Sequence, residues 1–295
     1  MPSLKEFRER IVSVKSTRKI TSAMKMVAAS KLKKAQVKAQ ASQPYAQSIK
    51  KMLARVTSSL DITNDTSKLL IGTGNTKKHL LVVISSDRGL CGGFNTNIIR
   101  FAQTQIKDLK EQGKDVQLLL IGRKAKEGLR RQYNRDVLKS YSHIMGKKDL
   151  SFTDIKPAID LIMDQFHNGN VDVCSIIYNH FHSVLLQTPV KQQLIPIAIE
   201  AKDTDIDSAS DTPYSFEPNQ ETLLAELLPK NINIQLFGAV LDSAAGEQAA
   251  RMTAMDNATR NAGEKIKALN LTYNRARQAH ITKELIEIIS GAEAL

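Results

Sequence analysis

The stretch SSDRGLCGGFN, residues 85–95, gathers the residue types a ligand loop needs: two hydroxyls, a carboxylate, a guanidinium, a thiol and three glycines. It follows the apolar run HLLVVIS at 79–85 and opens a periodic segment, so it reads as a strand-to-helix turn, where doubly wound sheets bind ligands. The glycines stand at 89, 92 and 93 and do not form GxGxxG, and the chain has no GxxxxGK[ST], so a phosphate cradle is not indicated. Two readings remain: a tight turn using glycine for positive φ, or a contact loop with Asp87 and Arg88 projecting from the sheet end.

Other reactive residues are sparse. His180 and His182 in NHFHS share one face of an extended segment, but no third ligand stands at sensible spacing, and an edge-strand pair is the expected reading. Cys91 and Cys174 are lone thiols 83 positions apart, as in a reducing compartment. No Ser/His/Asp or paired-carboxylate arrangement stands out, so no active site is expected.

Charge carries more information. The chain of 295 residues has a formal charge of +12, and residues 1–38 hold eleven Lys or Arg against only Glu6 and Glu9. Such a collar exceeds what solubility requires and forgoes intrahelical ion pairs, which points to a partner bearing acids. Nucleic acid is the alternative partner, but aromatic residues are 5% of the chain and Trp is absent, so stacking platforms are scarce. The stretch from Glu200 to Glu226 is the opposite pole, with eight acids against Lys202.

The elements that must hold these groups fall into three zones: 1–60, 76–205 and 219–295. From Leu4, alternate steps of three and four reach Phe7, Ile11, Val14 and onward to Leu60, and thirteen of the seventeen positions are apolar. That is a coiled-coil helix on the order of 85 Å long at about 1.5 Å per residue. Its breaks at Arg18, Thr21 and Lys25 lie beside a parallel stripe, Ile20, Met24 and Val27, so the apolar face is expected to rotate there. Pro44 should bend it.

The stepping returns at Ala245, Gln248, Met252, Met255, Thr259, Ala262, Ile266, Leu269, Tyr273 and Ala276, with a phase slip near His280. Pro218 followed by NQETLLAELL marks a helix start, and Pro229 predicts a kink or break. Two such helices pair most simply as an antiparallel coiled coil. Between them, runs at 79–85, 116–122, 171–179 and 188–197, with helices over 95–112 and 153–169, predict a mostly parallel Rossmann-like α/β domain. The segment 203–213 has the composition of a linker.

The chain ends ITKELIEIISGAEAL, where Ile281, Leu285, Ile288, Ala292 and Leu295 form one stripe on a helix. Ile286 and Ile289 lie on another face, and the start of the first helix is already used up in pairing. Something outside the pair must cover this tip. A sleeve of other chains fits.

KSTRKITSAMKMVAASKLKKAQ (15–36), SSDRGLCGGFN, EQAARMTAMDNATRNA (247–262) and YNRARQAHITKELIEIISGAEAL (273–295) resemble the gamma subunit of F-type ATP synthases of bacterial type. The resemblance implies a rotor shaft: a coiled coil inside a hexamer of three alpha and three beta subunits, on a foot that meets the epsilon subunit and the ring of c subunits. It implies that ATP or ADP and Mg bind the alpha and beta subunits and that this chain binds no cofactor or metal and is not itself catalytic. Ion-driven rotation of the ring would be coupled to conformational change at the beta sites, reversibly with hydrolysis. The location implied is the cytoplasmic side of the bacterial inner membrane, with the membrane reached only through partners and no nucleic acid involved; no organellar leader is expected.

The resemblance also assigns residues. Met24, Lys25, Cys91 and Arg251 match coupling contacts to the acidic loop of beta, and Arg277 and Gln278 match a hydrogen-bonding catch. Ile281, Thr282, Leu285, Glu287, Ile288 and Ile289 form the bearing tip. Tyr214 and Phe216 are expected to meet epsilon and the ring.

Overall fold

In the computed structural model, which describes residues 3–58, 67–147, 149–197 and 219–293, the chain divides into two compact units, Lys31–Ala250 and Met1–Ser30 with Arg251–Leu295. Helices α1 (Leu4–Ser58) and α6 (Gln220–Glu293) each contribute to both.

The larger unit is built on a five-stranded sheet: β1 (Lys78–Ile84), β2 (Asp115–Ile121), β3 (Val137–Tyr141), β4 (Val173–Phe181) and β5 (Gln187–Ile195). The order is β3-β2-β1-β4-β5, with β1, β2, β3 and β4 parallel and β5 antiparallel to β4. β1 lies at the centre and has apolar residues on both faces, as a strand covered by helices requires. Leu80, Val82 and Ile84 join a core with Ile155, Ile159, Ile162 and Phe166 of α5 (Phe152–His167) and Leu224, Leu228, Ile232 and Leu236 of α6. Leu81 and Val83, on the other face, pack with Ile98, Ala102 and Ile106 of α3 (Phe94–Glu111) and Ala125 and Leu129 of α4 (Arg123–Tyr133). The chain also forms a one-turn helix, α2 (Lys68–Ile71).

The expected α/β middle is therefore present, with α4 and β3 as additions that the sequence pattern did not reveal. α4 buries only Ala125 and Leu129 in eleven residues and carries five cations, and β3 is a five-residue sheet edge. The start read at Pro218 and the NQETLLAELL that follows it is borne out two residues on: the Asn219 side chain accepts the Thr222 N–H at 2.8 Å and α6 begins at Gln220. The helix runs unbroken through Pro229, and α1 runs unbroken through Pro44. Leu224, Leu228, Ile232 and Leu236, buried on both sides of Pro229, hold it in helical conformation against the lost N–H bond.

The smaller unit is an antiparallel helix pair. Arg8 donates from Nε to the Tyr273 hydroxyl at 2.9 Å, Thr259 donates from its hydroxyl to that of Thr21 at 2.8 Å, and Lys25 Nζ donates to Asp256 Oδ1 at 2.5 Å. From Arg8 to Thr21 is 13 residues along α1, and from Tyr273 back to Thr259 is 14 along α6, so one register serves the whole stretch. Phe7, Ile11, Thr21 and Ala28 are the buried positions of α1 here, all on the three-four stepping.

The expected rotation of the apolar face does not occur. Ile20 and Val27 are 57% and 56% exposed, while Thr21 is buried, because the seam keeps its phase and meets the break with the polar pair Thr21–Thr259.

Candidate functional site

Three surfaces carry the residues singled out in the sequence. The first is the end of α6. The register of the helix pair sets Ser3, the first described residue, opposite about position 278, so the residues that follow have no counterpart on α1. Among the described residues, the phase slip near His280 thus has no position of α1 opposite it.

Ile281, Leu285, Ile286, Ile288 and Ile289 are all exposed, from 49% to 70%. At about 100° per residue they cover nearly half the helix circumference. Polar side chains between them are tied within the helix: Thr282 donates to the Gln278 carbonyl at 3.0 Å, and His280–Glu284 and Lys283–Glu287 pair at 3.2 and 3.5 Å. What remains to offer a partner is aliphatic surface, each side chain worth about 1.5–3 kcal/mol on full burial. Arg277 and Gln278 are exposed at the base of this segment.

The second surface lies along the helix pair. Met24 and Lys25 are half-buried, and Lys25 does not face outward alone: its ammonium contacts Asp256, whose other oxygen is held by Arg260. These two cations, Lys25 first, hold the Asp256 carboxyl below the usual carboxylate range. Arg251 is half-buried and, by the same register, falls opposite about residue 30, so it is not on the rung of Met24 and Lys25. The sequence missed Asp256 because only the register identifies which residue of α6 faces the break in α1.

The third surface is the loop 85–95 at the sheet end. Gly122 has φ of +100°, and a Cβ there would meet the Ser85 carbonyl oxygen at 2.1 Å, so only glycine lets β2 turn into α4 beside this loop. The Ser85 hydroxyl accepts the Ala125 N–H at 2.7 Å.

Asp87 does not project: it is 5% exposed and accepts N–H bonds from Arg123, His143 and Gly146 at 3.0–3.1 Å. Its carboxylate occupies the start of α4, the place where such a fold would receive a phosphate. Cys91 is likewise turned inward, 1% exposed, with Asn95 donating to its sulfur at 3.1 Å. The exposed residues of the loop are Arg88, Gly89, Leu90, Gly92 and Gly93. Of its three glycines only Gly92 has positive φ, while Leu90 adopts +64° and stands 65% exposed.

His180 lies on β4, which is internal to the sheet, not at its edge, and His182 stands just past the end of that strand. His180 Nδ1 contacts Asp242 at 2.5 Å and His182 Nε2 contacts the Thr188 hydroxyl at 2.8 Å, so each ring has a protein partner. Among the described residues no group of three or more His, Cys, Asp or Glu has metal-binding geometry. Tyr214 and Phe216 lie outside the described residues.

A family model described as ATP synthase matches residues 3–295. The ATP synthase gamma chain of Granulibacter bethesdensis is 54% identical over 299 residues, covering 100% of both chains, and that of Rhodospirillum rubrum is 50% identical over 300 residues, again covering all of both. Among solved structures, the central stalk and c-ring of the Tetrahymena thermophila mitochondrial ATP synthase aligns at a TM-score of 0.59 with 28% identity, covering 81% of this chain and 99% of that one. A chain of the Euglena gracilis mitochondrial ATP synthase in rotational state 3 shares the fold at a TM-score of 0.68 and 21% identity, covering 99% of this chain and 94% of its own.

Proposed function

The chain belongs to the ATP synthase family as a gamma chain, and from that membership we propose that it works as a rotor shaft through differential contact. The helix pair presents a different face to each of three beta subunits, so that each catalytic site is biased toward a different conformation and nucleotide affinity. Rotation exchanges those biases. ATP or ADP and Mg are bound by the alpha and beta subunits, and this chain performs no chemistry itself. The filling of the α4 start by Asp87 supports that reading.

Residues 1–60 and 219–295 supply the shaft and 76–205 the foot, which meets epsilon and the c ring; Tyr214 and Phe216 are assigned to that contact. No helix of the described residues is long and apolar enough to cross a membrane. Attachment to the cytoplasmic side of the bacterial inner membrane therefore runs through the partners. Met24, Lys25 and Arg251 serve contacts to acidic residues of beta, joined by Arg88 and Leu90 from the rim of the Cys91 turn. Arg277 and Gln278 form the catch, and Ile281, Thr282, Leu285, Glu287, Ile288 and Ile289 the bearing.

The observation that carries the reading is the aliphatic surface of α6 beyond its pairing with α1. Deleting residues 281–295 and reconstituting the chain with alpha and beta tests it. The expected result is weakened assembly or torque with nucleotide chemistry still present at the beta sites. Wild-type assembly and torque from the truncated chain would rule out an essential bearing.

A further inference from the structure

We propose that Asp256 is a positioning residue of the shaft: an acceptor shared by Lys25 and Arg260 that holds Lys25 in place, so its ammonium can engage and leave a partner carboxylate without stranding a charge. The proposal rests on the rotor reading and adds a residue that reading did not contain.

Three observations support it. The two oxygens of Asp256 are divided between cations, Oδ1 to Lys25 at 2.5 Å and Oδ2 to Arg260, whose Nε lies at 3.1 Å with Nη2 also in contact. The cations come from different places, Lys25 from the opposite helix and Arg260 from one turn along the same helix. If Lys25 swings toward another acid, Arg260 stays on the carboxylate, so the exchange leaves no anion unpartnered. The exposures are graded to suit: the Lys25 side chain is 45% exposed and that of Asp256 23%. An ammonium has three N–H donors on a flexible stem, and contact with Asp256 uses one.

The adjacent Thr21–Thr259 rung fixes which residue of α6 meets Lys25. The occupant of the remaining donors is therefore a carboxylate of a partner protein approaching along the helix pair. Without Asp256 the same ammonium would be an uncompensated cation that grips such an acid too long. Without Arg260 the reverse holds: Asp256 would have Lys25 alone and would keep it back.

The test uses the assembled complex of this chain with alpha, beta and epsilon, scored for ATP hydrolysis rate from low to high ionic strength. Asp256→Asn is expected to slow turnover roughly two- to fivefold at low salt, the range of one exposed ion pair, with recovery at high salt. Arg260→Gln is expected to shift the low-salt rate the other way, and Lys25→Met introduced into the Asp256→Asn chain should abolish the salt dependence. A merely structural role gives both single variants the same sign and tracks their thermal stability. Identical salt profiles for Asp256→Asn and wild type, or an Asp256→Asn defect unchanged by Lys25→Met, would overturn the assignment while leaving the rotor reading standing. Failure of the wild-type chain to enter the complex overturns both.

Discussion

Asp172 accepts the main-chain N–H groups of Lys77 and Lys78 at 3.1 and 3.0 Å and the Thr73 hydroxyl at 2.7 Å, clamping the start of β1. Burial works to raise its pKa, but the N–H of Lys78, the Thr73 hydroxyl and the N–H of Lys77 outweigh it, so the carboxyl is held low. A folded-state pKa below the unfolded one gives stability that is present above the unfolded value of about 3.9 and lost as pH falls through the lower folded value. Asp172→Ala should therefore cost about 2–3 kcal/mol at neutral pH, and the gap from wild type in urea unfolding should narrow below about pH 4. A pH-independent gap would mean that the site acts through packing alone. Asp87 and Cys91 teach the complementary lesson. Their residue types and the turn were legible in the sequence, yet the way the Asp87 carboxylate points depends on donors from Arg123, His143 and Gly146, far along the chain, while the Cys91 thiol is held inward from Asn95 within the same loop.

At the scale of elements, the seam of α1 was legible because burial and the three-four stepping are the same physical fact. Phe7, Ile11, Ala28, Leu32, Ile49, Leu53 and Val56 all lie on it and all are buried. The sequence misled at Thr21, where an apolar neighbour stripe looked like a better face than a polar seam residue. A hydroxyl pair across two helices fixes register at some expense of stability, since an apolar pair of equal size needs no partner. Replacing Thr21 alone by Val should lower the melting temperature of the full chain. Replacing Thr21 and Thr259 together should return it to wild type or above. If the double variant melts below the single one, the pair is not a register pin. α4 escaped detection for the reason given by its burial: two inward residues in eleven make too weak a period, whereas α3 buries five in eighteen.

Across the whole molecule, charge is distributed unevenly. The unit of residues 1–30 and 251–295 has fourteen Lys or Arg and seven Asp or Glu, giving +7, which leaves +5 of the total +12 for residues 31–250. The smaller unit thus has the higher charge density, and it also carries the aliphatic end of α6. Electrostatic attraction governs the rate of encounter and apolar burial governs how long the complex lasts. Association of the chain with an alpha–beta hexamer should accordingly slow steeply between low salt and about 0.5 M, while dissociation changes little; stopped-flow kinetics would show it. Equal salt sensitivity of both rates would argue that ion pairs hold the complex together. The register of the helix pair has a mechanical consequence too. Past the point where α1 runs out, a lone helix must bear alone the twist that two strands share below it, and stiffness drops sharply with width. The last turns of α6, a single helix beyond the described start of α1, are accordingly easier to twist than the paired stretch that precedes them.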